Sequence, residues 1–325
     1  MTILDVAAEA GVSRQTVTRA MNDMGDISTA TREKVLAAAE RLGYRPSRFA
    51  RSLVTREKTH ALGLVVASFR NPYYTDIAAD LLAAAADRGW QVIIAASEDG
   101  APETLELLSS QVDVAVGHFG GTDAALVEAS HGIPVVRLEA PSRTPGVHSV
   151  ELDLESGLAE AIGALAARGS RRFGMVDSAY TEKSLGAYEP SPRRVWFEEQ
   201  AGDRLTGVVV GEETISGGGR AFAELLERHP DTDTVLMFND LMALGAVQSA
   251  HAFGIDVPGR VRVVGIDGLA LGEAVDPQLT TIALDREGLA SNTMDIVEIL
   301  AKAQFARLDP IRRSVRSKLL WRASA

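Results

Sequence analysis

The sequence predicts two folds in one chain: a small all-α head built on a helix-turn-helix, then a two-lobed α/β body of parallel sheets with helices on both faces. Three observations lead there. Leu4–Asn22, LDVAAEAGVSRQTVTRAMN, carries the caps, the glycine stop and the apolar spacing of two short helices joined by a tight turn. From Ala61 onward, short β-branched runs alternate with helical segments in two successive series. Charge is also unevenly divided. Residues 1–60 hold ten Lys/Arg and seven Asp/Glu, a balance of +3, while the rest holds 23 and 37, a balance of −14. A basic head on an acidic body is the asymmetry expected where one end meets phosphates and the other avoids them.

In the head, Thr2 is suited to cap a first helix with Val6, Ala7 and Ala10 on its inner face. Gly11 stops that helix, because glycine tolerates a left-handed backbone at little steric cost. Val12 anchors the turn and Ser13 caps a second helix, Arg14–Met21, with Val17, Ala20 and Met21 turned inward. Arg14, Gln15, Thr18, Arg19 and Asn22 are then left on the outer face, as side chains that donate to phosphates and base edges, and Ser13 and Thr16 beside them are further candidate DNA contacts. The alternative is an ordinary surface hairpin with a polar face. After a loop, Ser28 caps a third helix running to Leu42, with Ile27, Val35, Leu36, Ala39 and Leu42 as its apolar stripe. Gly43 and Pro46 end it. Ser47–Leu53 is a helix candidate too short to be stable alone, and Arg56–Lys58 has the composition of a solvated tether.

In the body, ALGLVVA, WQVIIAAS, VDVAVG, PVVRLE and HSVEL read as strands, with helices at Tyr73–Arg88, Pro102–Ser110 and Thr122–Ser130. RFGMV, LTGVVV, TVLMF and VRVVGI form the second series, separated by Leu154–Arg168, Pro192–Ala201, Arg220–Arg228 and Asp240–Phe253. Two tandem units imply two lobes with a cleft between them, where ligands meet the carboxyl ends of the strands.

Bulk properties agree. A chain of 325 residues, 46% hydrophobic, has room for a small module plus one large or two medium domains. The absence of Cys excludes disulfide and thiol chemistry. Met1 leads straight into the first helix with no secretory signal, and runs such as Ala61–Ser68 are too short to span a bilayer, so a cytoplasmic protein is expected. No Walker loop, GxSxG elbow, HExxH or dinucleotide fingerprint is present. Gly217-Gly218-Gly219 precedes a helix, where it could greet an anion, but such a run is more often a flexible turn, and the His residues are scattered without metal-ligand spacing. No enzymatic activity, metal or cofactor is expected.

DVAAEAGVSRQTVTRAMN, followed by ISTATREKVLAAAERLGYRPSRFARSL, resembles the lactose-repressor/galactose-repressor family of bacterial transcription regulators. NPYYTDI, FNDLMALGA, VRVVGIDG, PQLTTI and LLWRASA match in the same order down the chain. The resemblance implies a helix-turn-helix domain over residues 1–45, a hinge helix and linker over 46–60, and a periplasmic-binding-protein-like effector and dimerisation domain over 61–325. Lobe 1 would take 61–153 and 286–308, and lobe 2 154–285 and 309–325, with crossings near Asp153, Asp285 and Asp309. Helix Arg286–Ala306 would return to the first lobe and strand Val315–Trp321 to the second. It further implies a homodimer on a near-palindromic double-stranded operator, gated by a small-molecule effector. Leu53 would wedge into the minor groove, with Ala50 packed one turn earlier and Arg48 and Arg51 on phosphates. A plain linker is the alternative reading of that segment. Leu81, Leu82 and Leu289 are the expected dimer contacts, and no heptad run after Trp321 suggests a tetramer.

Within the cleft, Tyr73 and Tyr74 are candidates to stack on a flat ligand or sugar ring, with Asp76 accepting its hydroxyls; equally, Tyr74 fits the lobe core and Asp76 a first-turn dipole partner. Arg193 matches a family arginine that grips the effector, with neighbouring Arg194 as a competing assignment. Asp240 is read as a helix cap and Asn239 as a pocket residue. Asp267, at a strand end, is suited to accept sugar hydroxyls. Several departures bear on the effector class. The stretch between Glu98 and Gly117 is about a turn shorter than in the family, and His118-Phe119-Gly120-Gly121 replaces an ordinary loop. Glu213 stands where an aromatic is usual, and Trp196 where a small residue is usual. A cleft that binds no effector is the alternative they raise.

Overall fold

The computed structural model describes residues 2–21, 27–44, 59–97, 102–178 and 189–325. The head contains α1 (Ile3–Ala10), α2 (Arg14–Met21) and α3 (Thr29–Arg41). Val6, Ala10, Val17, Ala20, Val35, Ala38 and Ala39 form its core, with Ile3, Val12, Met21, Ile27 and Leu42 packed at the edge. One residue of the expected stripe is wrong: Leu36 is 41% exposed, and Ala38 takes the inner position instead. A small residue lets α3 approach α1 and α2 closely, and that fit outweighs side-chain size.

The body is two six-stranded sheets. The first lobe begins with β1 (Ala61–Val66), α4 (Pro72–Ala86), β2 (Gln91–Ala96), α5 (Pro102–Ser109), β3 (Val114–Gly117), α6 (Asp123–Ala129), β4 (Val135–Glu139) and β5 (Val147–Asp153). The second holds α7 (Leu154–Ala167), β6 (Phe173–Ser178), α8 (Pro192–Ala201), β7 (Leu205–Gly211), α9 (Ile215–Arg228), β8 (Thr234–Met237), α10 (Asp240–Ala252), β9 (Arg262–Asp267) and β10 (Thr280–Ala283). The chain then returns through α11 (Arg286–Lys302) and closes with β11 (Arg312–Arg316) and β12 (Lys318–Leu320). Strand order is β11-β5-β4-β3-β1-β2 in one sheet and β12-β10-β9-β8-β6-β7 in the other. Among the described residues only β12 runs antiparallel to its neighbour.

Helices cover both faces, as buried strands such as β1 and β3 require. In the first lobe α4 and α11 share one core with β1, β3 and β4 through Ile77, Leu81, Leu289, Met294 and Val297. Leu105, Leu108 and Leu126 of α5 and α6 fill the other face. This corrects two expected dimer contacts, because Leu81 and Leu289 are 1% and 0% exposed. They are consumed by the lobe's own core, whereas Leu82, 41% exposed, remains at the surface.

The last crossing also differs from expectation. Val315–Trp321 is not one strand of the second lobe. Residues 312–316 pair in parallel with β5 of the first lobe, and 318–320 pair antiparallel with β10 of the second. The crossing falls at Ser317 rather than near Asp309, so residues 309–316 belong with lobe 1. Arg312–Arg316 finds its ladder partner on the open edge of β5, and that pairing decides its lobe.

The glycine run is a second correction. Gly217–Gly219 lies inside α9, whose N-cap is Thr214. A Cβ on Gly218 would sit 2.4 Å from the Cα and carbonyl oxygen of Met242, and one on Gly245 only 1.8 Å from the Ile215 carbonyl oxygen. The glycines form a seam along which α9 and α10 touch backbone to backbone, which removes the freedom a turn would need.

Candidate functional site

Local chemistry builds the head's outer face. Thr2 and Asp5 form a reciprocal capping box, with the Thr2 N–H donating to Asp5 at 2.7 Å and the Asp5 N–H to the Thr2 hydroxyl at 3.4 Å. These hydrogen bonds hold the Asp5 carboxyl below the usual range. Gly11 closes α1 at φ 59°. The Thr16 N–H then donates to the Ser13 hydroxyl at 3.1 Å, starting α2 where the turn ends. Arg14 and Gln15 are exposed at the first turn of α2, and Thr16, Thr18 and Arg19 are half-buried around it. The Thr18 hydroxyl donates to the Arg14 carbonyl at 3.1 Å, so its own helix already uses it. Asn22, Arg48, Ala50, Arg51 and Leu53 lie outside the described residues.

The strand ends of the two lobes bring a polar network together. Asn71 caps α4, accepting from the Tyr73 N–H at 3.0 Å, and its amide reaches across to donate to Asp267 of the second lobe at 3.3 Å. Asp267 ends β9 in a left-handed backbone conformation, φ 129°. Arg193 starts α8 because Ser191 caps that helix and is itself held by buried Asp177, whose carboxylate accepts the Ser191 hydroxyl at 2.6 Å. The Arg193 guanidinium donates to the Phe238 carbonyl and lies 4.5 Å over the Phe238 ring, with Nη2 3.8 Å from Asp267. Arg194 turns away to Glu198 at 2.7 Å, so the two arginines divide the roles that their adjacency left open.

On the first lobe, the Tyr73 hydroxyl donates to Glu139 and the His118 Nε2 lies 3.1 Å from the same carboxylate oxygen. Gly117 directs His118 there. Its φ is +149°, and a Cβ would sit 2.0 Å from the Val65 carbonyl oxygen. Tyr74 meets the His118 ring edge to face at 5.1 Å. Of the two tyrosines it is Tyr73 that is buried, at 2% exposed, while Tyr74 stays half-buried between the lobes. Asp76 is drawn off to Arg286, 2.5 Å away, instead of joining these groups.

In the second lobe Glu213 accepts from the Ser178 hydroxyl at 2.5 Å and from the Asn239 amide at 3.3 Å. Asn239 is also the cap of α10, accepting from the Met242 N–H at 2.9 Å. This reverses the capping assignment, because Asp240 turns inward to the Leu269 N–H at 2.7 Å and the Thr281 hydroxyl at 2.6 Å. A residue at the cap position presents its side chain to the first free N–H groups, and the next residue already faces the core.

Electrostatics follow from this packing. Burial works to raise the Glu139 carboxyl, but His118, Tyr73 and Arg193 outweigh it and hold it below its ordinary value. Burial, with the Glu139 charge behind it, pushes the Tyr73 phenol well up, and burial raises Tyr74 in the same direction. Asp267 is pushed well above the carboxylate range by burial, against the pull of Arg193.

Of the cleft residues named from the sequence, Tyr73, Tyr74, Arg193, Asn239 and Asp267 converge and Asp76 does not. Glu139 and Ser178 were missed. Both end strands, so the strand-end rule that selected Asp267 would also have found them. Glu213, a departure from the family pattern, faces the same network. Among the described residues, no helix is long and apolar enough to cross a membrane.

Comparison with known proteins gives this geometry its context. The model of bacterial regulatory proteins of the lacI family matches residues 2–47, and that of the periplasmic binding protein-like domain matches residues 162–324. Catabolite control protein A of Priestia megaterium is 30% identical over 293 residues, 87% of each chain. The HTH-type transcriptional regulator CelR of Thermobifida fusca is 33% identical over 302 residues, 85% of each. A LacI family transcriptional regulator from Arthrobacter sp. FB24, solved with lactose, superposes with a TM-score of 0.72 at 26% identity, covering 81% of this chain and 98% of that one. With a matching head, a matching body and relatives aligned over most of its length, the chain belongs to the LacI family of bacterial regulatory proteins.

Proposed function

We propose that this family member is a sequence-specific DNA-binding transcriptional regulator, acting as a repressor, whose two heads in a homodimer read a near-palindromic operator. The observation that carries this reading is the exposed pair Arg14 and Gln15 at the start of a second helix fixed by its own Ser13 cap. Arg binds guanine and Gln adenine with paired hydrogen bonds, and a recognition helix reads with its N-terminal residues. Arg19, Thr16, Ser13 and Asn22 supply contacts to the DNA backbone in this reading, with Thr18 beside them on the same face, and Leu53 wedges the minor groove beside Ala50, Arg48 and Arg51. Selection of bound sequences from random duplex DNA tests it. An inverted repeat is expected, and an asymmetric or absent consensus overturns the dimeric reading.

In the same proposal a small polyhydroxylated effector binds between the lobes and biases their angle, and with it the order of the hinge. Arg193, Asp267, Asn239, Tyr73 and Tyr74 are the groups that hold it, with Asp76 at the margin. The lactose-bound relative from Arthrobacter supports a sugar-like ligand. Ligand at a hundred times its dissociation constant adds about 2.7 kcal/mol to the native state, so a melting screen of sugars, polyols and nucleosides detects it. A hit abolished by Arg193→Ala and Asp267→Asn is expected, and a hit indifferent to both removes these residues from the site. A second reading, a regulator with no small effector, draws on the mutual satisfaction of Ser178, Glu213 and Asn239 and of Tyr73, Glu139 and His118. A silent screen favours it.

A further inference from the structure

Three carboxylates meet between the lobes, and the described cations do not balance them one for one. Tyr74 marks the place: its phenol is raised first by burial and then by the charges of Glu139, Glu213 and Asp267, with Arg193 opposing them. Two of these acids have a basic partner. The Arg193 Nη2 stands 3.8 Å from Asp267, and the His118 Nε2 stands 3.1 Å from Glu139. Among the described residues Glu213 has none. It accepts from the Ser178 hydroxyl at 2.5 Å and the Asn239 amide at 3.3 Å, both neutral donors.

The arginines nearest in sequence to this network are used elsewhere, Arg194 by Glu198 at 2.7 Å and Arg220 by Glu212 at 3.1 Å. Ser178 ends β6 and Asn239 follows β8, so they hold Glu213 at the carboxyl ends of the second sheet, where Arg193 and Asp267 also stand. On the first-lobe side two polar atoms lack partners. The Tyr74 hydroxyl makes no hydrogen bond among the described residues, and the Nδ1 of His118, whose ring meets Tyr74 edge to face, is buried without one. Glu213 is itself half-buried. A carboxylate drawn out of bulk water is best stabilised by a charged donor, and two neutral hydrogen bonds leave its charge uncompensated.

We propose that the ligand of this cleft is a polyhydroxylated amine, an amino sugar rather than a neutral one, with its ammonium group on Glu213 and its hydroxyls on Arg193 and Asp267. This class rests on the cleft being the effector site proposed above. An ammonium brings the missing counter-charge together with three donors, whereas a hydroxyl in the same place brings only another neutral bond. Glu213, standing where the family pattern has an aromatic residue, thereby turns a stacking wall into a charge selector.

Isothermal titration of the full chain with glucosamine, galactosamine and mannosamine, and with their neutral parents glucose, galactose and mannose, tests this below the pKa of the amines. At least one hexosamine should bind, more tightly than its parent by about tenfold or more. Glu213→Gln, which keeps an acceptor for Ser178 and Asn239, should abolish that preference, and Glu212→Gln, an exposed neighbour, should retain it. If Glu213→Gln does not fold, the N-acetylhexosamines carry the same test on the unsubstituted protein: they keep the ring, lose the charge and should bind no better than the parents. A preference that survives Glu213→Gln, or N-acetylhexosamines that bind as tightly as the amines, overturns the proposal. So do neutral parents that bind as tightly as the amines; if Arg193→Ala abolishes their binding, the effector cleft stands and only the amine falls. Binding by none of the six also overturns the amino sugar, while the effector reading itself is decided by the wider melting screen.

Discussion

Replacing Gly218 by Ala sets two effects of known sign against each other. The residue lies inside α9, so exchanging glycine for alanine should raise helix stability by about 1 kcal/mol. The added methyl, however, meets the Cα and carbonyl oxygen of Met242 at 2.4 Å, where apolar contacts settle at about 3.5–4.0 Å. The obstacle is backbone, so relief requires α10 to move by about 1 Å, against a core containing Met242, Ala243, Ala246 and Val247. Overpacking costs about 1–3 kcal/mol where side chains can give, and a rigid obstacle belongs at the top of that range or beyond. A net loss of about 2 kcal/mol is expected once the propensity gain is subtracted. Gly163→Ala in α7 is the matched control, because that glycine is exposed and nothing lies within 4 Å of its new Cβ. It should gain about 0.5–1 kcal/mol. Urea unfolding followed by circular dichroism reads both, with the midpoint moving at constant slope. Gly218→Ala as stable as the unsubstituted protein, or more so, would refute the backbone-contact argument for the seam.

The buried Asp240 carboxyl should make stability fall with rising pH. Burial pushes its pKa from 3.8 to about 6 in the native state, so between those values the folded chain holds a proton that the unfolded chain releases. The contribution is fully present below the unfolded value and is lost as pH rises through about 6, a change of the order of 2–3 kcal/mol at 1.36 kcal/mol per pKa unit. Asp240→Asn removes the titration, so the variant should improve relative to the unsubstituted protein between about pH 4 and pH 7. A stability difference that stays constant with pH would contradict this. At the head, Arg14→Ala should relax specificity at one symmetric base-pair position by about 1–3 kcal/mol. Equal weakening on all sequences, measured by competition with single-substitution operators, would assign Arg14 to the phosphates.

What the sequence determines by itself is what neighbours within a few residues settle. Thr2 caps α1 through Asp5, Gly11 ends it, and Ser13 starts α2 through Thr16, each partner lying four residues or fewer from the event it controls. The helix-turn-helix and its exposed Arg14 and Gln15 are legible for that reason. Alternation of strands and helices fixed the body's class, because a parallel sheet needs a crossover between strands, and it put Asn239 and Asp267 at strand ends facing a cleft. Tertiary structure alone decided the rest. Asn71 and Asp267 stand 196 residues apart, and Tyr73 and Glu139 66 apart, so no local pattern announces that they meet. Val315–Trp321 reads as one strand because alternation does not record which sheet a strand joins; an open ladder on β5 and another on β10 divide it at Ser317. Gly217–Gly219 reads as a turn because glycine permits one, and only α10 pressed against it makes the run a helix. Local sequence sets which conformations are cheap, and long-range burial and hydrogen bonding choose among them.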